Sequence, residues 1–140
     1  MMMEFNVQTR WEGKQGSRAQ CKQTSLVLDT SMEGRVDAFN PAELLLAALS
    51  ACIIKGIERV APMLDFSFRH LEVRVHGLRQ DVPPKMDAIS YEVLIDTDES
   101  DRRLHLLHEN IQKYGTIYNT IASGATLNGS VARIPSAHKE

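Results

Sequence analysis

From residue 40 to residue 54 the chain reads Asn40-Pro41-Ala42-Glu43-Leu44-Leu45-Leu46-Ala47-Ala48-Leu49-Ser50-Ala51-Cys52-Ile53-Ile54, almost without a polar side chain. Asn40 suits an N-cap, Pro41 suits the first helical position, and Glu43 can reach back to the cap as in a capping box. A helix therefore starts here. It is expected to run to Val60 or Ala61, because Pro62 removes a donor and disfavours helical geometry in the residue before it. Some 20 residues give a length of ~30 Å. Its first three turns are apolar all round, which demands cover on every side. One further helix of the same chain does not supply that much cover, so a second copy is expected to complete it.

The flanking segments alternate instead. Phe5, Val7, Thr9 and Trp11 follow the period of a half-buried strand, and Glu12-Gly13-Lys14-Gln15-Gly16-Ser17 supplies turn chemistry for a hairpin. A second extended run is expected over residues 19–30, with Leu26 and Leu28 on one face and Cys21 within it. After Pro62, two more strands are expected. Phe66 to Leu78 carries Leu71, Val73 and Val75 on one face, and Ala88 to Thr97 carries Ile89, Tyr91, Val93 and Ile95, with a loop over Asp81 to Lys85 between them. Asp98 to Ser100 offer caps for a second helix through Leu104, Leu107, Ile111 and Tyr114, which Gly115 would end as a C′ residue. A short irregular or helical turn near Tyr118 follows, and Gly124 then opens a last strand through Leu127, Val131 and Ile134. This order is α+β, without the regular βαβ alternation of a parallel sheet.

At 140 residues the chain is expected to be a single domain over 1–140 that buries a core without a disulfide or metal to hold it. Sixteen basic against 18 acidic residues, with no long run of either sign, leave no footprint for nucleic acid or an anionic membrane. The apolar run over residues 44–54 falls short of the ~20 residues needed to span a bilayer. The opening Met1-Met2-Met3-Glu4-Phe5 lacks the pattern of a secretory signal, so the expected location is cytoplasmic, with Cys21 and Cys52 reduced. No cofactor is indicated, and Gly13 and Gly16 make no phosphate loop. His105 and His108 share a helix face, but no third ligand joins them, so no metal site is expected.

Cys52 is the candidate for chemistry. It is either a packing thiol or a redox centre. A mid-helix position lacks the help of a helix N-terminus, and burial disfavours the thiolate, so reactivity requires a cation. Lys55 and Arg59 follow on its own helix, and Lys14 or Arg18 could arrive from a loop or a partner subunit. Glu43 precedes Cys52 by nine residues, which places it on the opposite face and ~13 Å away along an unbroken helix. Capping is its first role, and service to the thiol of another chain or through a bend is the alternative. Cys21 is a candidate resolving thiol only if its strand passes near Cys52.

The phrase from Asn40 to Cys52 resembles the helix motif of the OsmC/Ohr family, the osmotically inducible and organic hydroperoxide resistance proteins. The likeness extends to the Trp11-Glu12-Gly13 hairpin, to Val73-Arg74-Val75-His76-Gly77, and to a Lys113-Tyr114 helix end where that family carries a second cysteine. The Glu-Leu-Leu-Leu form is closer to the general OsmC-like branch. The resemblance implies an intertwined homodimer, with antiparallel sheets packed around long central helices that carry the thiol, and sites at the subunit interface. It also implies thiol-dependent reduction of organic hydroperoxides. Cys52 would be the nucleophile, Glu43 the nearest acid to the family's glutamate, and Lys14 or Arg18 the cation of the first hairpin. Gly115 stands where the second cysteine is expected, so recycling would fall to an external thiol reductant. The alternative is a catalytically silent homodimer that binds an apolar small molecule at its interface.

Overall fold

The alternation in the first thirty residues becomes three short antiparallel strands, β1 (Gln8–Trp11), β2 (Ser17–Cys21) and β3 (Thr24–Leu28), in the order β1-β2-β3. They are seen in a computed structural model that describes residues 2–125, 127–131 and 133–135. Trp11 pairs with Ser17, Ser17 with Leu28 and Ala19 with Leu26. Thr9, Trp11, Ser17, Ala19, Leu26 and Leu28 therefore share one face. The single run expected over 19–30 is in fact two strands, because Lys22 takes φ 54° and lets Cys21 pair with Thr24 across a two-residue turn. No glycine or asparagine marks that turn in the sequence. The first turn is a 3-10 segment at Gly13–Gln15 closed by Gly16, whose φ of 101° and tight approach to the Leu28 carbonyl both exclude a side chain.

The long helix α1 (Pro41–Met63, 23 residues) starts as expected. Asn40 Oδ1 accepts from the Glu43 amide at 2.8 Å, and Glu43 Oε1 accepts from the Asn40 amide at 2.9 Å. Such a cap contributes about 1 kcal/mol. The far end differs from expectation, because the helix runs through Pro62 to Met63. There Asp65 adopts φ 51°, the Phe66 amide reaches the Ala61 carbonyl at 2.8 Å, and the Asp65 amide reaches the Pro62 carbonyl at 3.2 Å. This Schellman pattern satisfies the last carbonyls and turns Phe66 into the core. The tertiary gain from burying Phe66 overrides the local cost of Pro62.

Strands β4 (His70–Gln80) and β5 (Lys85–Asp96) form a separate antiparallel hairpin, with Leu71, Val73 and Val75 opposite Ile95, Val93 and Tyr91. β4 begins later than expected because Phe66 serves the helix cap, and β5 begins earlier, at Lys85. Two helices follow, α2 (Asp101–Tyr114), capped by Ser100, and α3 (Thr116–Ser123). α1 packs against β4, α2 and α3. Its buried stripe Leu49, Ile53, Ile57, Val60 and Ala61 joins Phe66, Leu107 and Ile111 in the core. Spacings of four, four, three and one keep that stripe on one side of the helix. No described residue beyond Gly124 lies in a strand, and Leu127, Val131 and Ile134 are exposed. The last strand expected there does not form among the described residues, and Thr126 and Ala132 of its span lie outside them.

The three-stranded sheet is tied to the remainder only locally. Leu28 bridges Phe39, and Arg35 donates to the Gln15 carbonyl at 2.6 Å while holding Asp37. No strand of that sheet packs broadly on the helices or on the other hairpin. On its apolar face Trp11 is 82% and Leu26 43% exposed, while Ala19 and Leu28 are half-buried.

A polar clamp closes the opposite end. Arg103 bonds Glu99 at 2.6 Å and the carbonyls of Leu64 and Asp65, while Glu99 also receives the Ser67 amide at 2.8 Å. Arg69 spans Asp96 and Asp98. The hydrogen bonds from Arg69 hold the carboxyls of Asp96 and Asp98 below their ordinary range, and the Ser67 amide, then Arg103, do the same for Glu99. A carboxyl lowered on folding stabilises above its unfolded pKa, and that stabilisation is lost as pH falls through the lowered value. Melting temperature is therefore expected to drop on acidification below about pH 4. Arg69→Met should flatten that acid limb, which thermal melts of both proteins across the acid range will measure.

Candidate thiol site

Cys52 lies at the middle of α1, half-buried and with a free thiol. Its sulfur faces the joint between α2 and α3. A Cβ built on Gly115 would stand 3.2 Å from Cys52 Sγ, 3.1 Å from the Ile111 carbonyl oxygen and 3.1 Å from Tyr118 Cβ. Gly115 is buried, and it is at once the C-cap of α2 and the N-cap of α3, with φ −79° and ψ 116°. That is ordinary extended backbone, so the expected left-handed C′ role is absent. Glycine is suited here by space: it lets the joint close against the thiol.

The remaining candidates sit elsewhere in the chain. Glu43 completes the capping box at the start of an unbroken α1, ~13 Å along the axis from Cys52. Lys14 is exposed in the 3-10 turn, and Arg18 on β2 pairs with Glu12 at 3.5 Å and donates to Ser25 at 3.3 Å. Both belong to the sheet that does not pack broadly on α1 of its own chain. Lys55 and Arg59 are exposed on α1, and Cys21 ends β2 opposite Thr24. The structure thus brings Gly115 to Cys52, with Tyr118 beside that glycine, and leaves Glu43 at the helix start.

His105 and His108 point to separate partners. His105 Nε2 meets Glu109 at 3.1 Å, whereas His108 Nε2 meets the Tyr91 hydroxyl at 2.6 Å. No group of metal-holding side chains occurs among the described residues. Gln112 adds a bond to the Tyr91 hydroxyl at 2.9 Å. This Tyr91-His108-Gln112 cluster was not foreseen from the sequence, where Tyr91 reads only as an inward strand position. The available signal was the four-residue spacing of His108 and Gln112 on α2, opposite a tyrosine whose polar tip needs a partner.

The family model described as OsmC-like protein matches residues 33–129. No curated protein matches the chain. Among solved structures, an OsmC-like protein from Mycoplasma pneumoniae is 20% identical, with a TM-score of 0.82 over 89% of this chain and 91% of that one. An organic hydroperoxide resistance protein OsmC from Legionella pneumophila is 17% identical, with a TM-score of 0.65 over 86% and 90%. The organic hydroperoxide resistance protein OhrB of Bacillus subtilis is 15% identical, with a TM-score of 0.60 over 87% and 93%. At these identities the likeness is one of fold. No helix among the described residues is long and apolar enough to cross a membrane.

In a disulfide with an S–S bond of about 2.05 Å, each Cβ lies about 3 Å from the far sulfur. The 3.2 Å separation at Gly115 is close to that value. Gly115→Cys is therefore expected to form a disulfide with Cys52 under mild oxidation, read by intact mass as the loss of two hydrogens. Gly115→Val, which adds the same crowding without the bond, should cost about 1–3 kcal/mol in chemical denaturation.

Proposed function

The chain belongs to the OsmC-like protein family, and from that membership we propose that it is a one-cysteine organic hydroperoxide reductase acting as a homodimer and recycled by an external thiol. The observation that carries this reading is the contact of Cys52 with Gly115, the position at which the resemblance expects a second cysteine. A thiol with no second cysteine beside it can still complete a cycle. The Cys52 thiolate attacks the distal oxygen of ROOH, the O–O bond breaks, and the alkoxide leaves as ROH after taking a proton. The resulting sulfenic acid condenses with one external thiol, releasing water and forming a mixed disulfide. A second thiol then displaces Cys52 and leaves as the external disulfide. Kinship of fold with organic hydroperoxide resistance proteins supports the substrate class.

The second copy is supported by what one chain leaves uncovered. Trp11 and Leu26 on the first sheet, Val7 just before it, and Leu45 and Ile54 on α1 are exposed apolar side chains that a second copy would cover. In the proposed dimer the first sheet of one copy covers α1 of the other, and Lys14, in the turn at the end of that sheet, supplies the cation that Cys52 needs as a thiolate, since Arg18 projects from the sheet face opposite Trp11 and Leu26. Glu43 serves as the cap of α1.

Sedimentation of the wild-type protein should give a dimer at micromolar concentration, and Trp11→Glu should shift it toward monomer. A wild-type monomer would remove the second copy from the mechanism. One equivalent of cumene hydroperoxide should oxidise Cys52 rapidly, with Cys21 untouched, as followed by a sulfenic-acid trap and intact mass. Added thiol should reverse the change, and Cys52→Ser should abolish it. Absence of reaction over minutes would instead favour the silent homodimer with an interface ligand.

A further inference from the structure

Lys14 sits in a turn bounded by two glycines. Gly16, at φ 101°, is packed against the Leu28 carbonyl, whereas Gly13, at φ 69°, has nothing within 4 Å of the place a Cβ would take. The turn is closed by two backbone bonds, the Glu12 amide to the Gly16 carbonyl at 2.8 Å and the Gly16 amide to the Gly13 carbonyl at 3.2 Å. Glycine loses more conformational freedom on folding than any other residue, and a lysine side chain brings many rotamers of its own. A cation carried there needs a second hold on its backbone before it can be aimed.

Arg35, in the loop that leads into α1, supplies that hold. Its Nε and Nη2 donate to the two carboxyl oxygens of Asp37 at 2.8 and 2.9 Å, and its Nη1 donates to the Gln15 carbonyl at 2.6 Å. The bidentate contact locks the guanidinium plane, so the third bond fixes Gln15, the neighbour of Lys14. The loop is itself anchored, since the Asp29 amide reaches the Phe39 carbonyl at 2.9 Å and Asn40 caps α1. The charge of Arg35 is met first by Asp37, then more weakly by Asp29 and Glu12, and Glu12 also pairs with Arg18 at 3.5 Å. Lys14 is exposed and makes no ion pair among the described residues. The uncommitted charge is that of Lys14, and Arg35 supplies the geometry.

We propose that Arg35 is a positioning residue for the proposed reduction, fixing the turn that presents Lys14 to the thiolate of Cys52 of the partner subunit, given the reading above that Lys14 is the cation of that thiolate. Lysine at position 35 would keep the charge but has no planar fork to hold Asp37 and Gln15 together.

Alkylation of Cys52 by iodoacetamide across pH, read by peptide mass on the dimeric protein, reports how much of the thiol is thiolate. Lys14→Met should raise the midpoint by about one pH unit. Arg35→Lys should raise it by about half a unit, and should add nothing in the Lys14→Met background. Asp37→Asn removes a negative charge, which acting directly would lower the midpoint, but by loosening the fork it should raise it. Amide exchange at Glu12 and Gly16 should quicken about tenfold in Arg35→Lys, with exchange across α1 unchanged. Additive shifts, a midpoint unmoved by Arg35→Lys, a midpoint lowered by Asp37→Asn, or unaltered exchange in the turn would each overturn the role of Arg35 while Lys14→Met still raises the midpoint. A midpoint unmoved by Lys14→Met instead removes Lys14 as the cation, and Arg35 then has nothing to position.

Discussion

Burial of one stripe of α1 organises this molecule. Leu49, Ile53, Ile57 and Val60 point the same way, Ile57 is fully enclosed, and β4, α2 and α3 all pack on the helix that carries them. Burying each such side chain contributes about 1.5–3 kcal/mol, so the stripe outweighs any single cap or ion pair in the structure. It also sets where the thiol is. Cys52 precedes Ile53 and so lies at the margin of the stripe, close enough to the core to be held against Gly115 and far enough out to remain half-exposed.

Much of the fold was legible because its signals are local. Asn40, Pro41 and Glu43 name the start of α1, alternation through Leu71, Val73 and Val75 names β4, and Ser100 with Leu104, Leu107 and Ile111 names α2. The misreadings arose where a distant contact decided the outcome. Pro62 is carried inside α1 because Phe66 gains burial, and the Lys22 turn is carried by pairing between β2 and β3. The strand expected through Leu127 and Val131 has apolar residues, yet no described residue there pairs with a strand.

The candidate site was only half legible. Helical periodicity separates Glu43 from Cys52, and the unbroken α1 agrees. Periodicity does not say what lies across from Cys52, because Gly115 is 63 residues away in sequence and bears no side chain to advertise the contact. Nor does alternation reveal that Tyr91 shares its hydroxyl with His108 and Gln112. Both facts depend on how α2 crosses behind β5 and α1. That crossing is set by packing around Leu107 and Ile111, together with the Arg103 clamp to the end of α1.

The joint at Gly115 has an evolutionary reading as well. Glycine and cysteine codons can differ by a single base, GGC against UGC, and a Cβ at Gly115 would stand 3.2 Å from Cys52 Sγ, near the value in a disulfide. One base change is then enough to place a second sulfur beside Cys52, provided the Ile111 carbonyl and Tyr118 give by a few tenths of an ångström. Under the proposed cycle, the need for an outside reductant would rest on this one position.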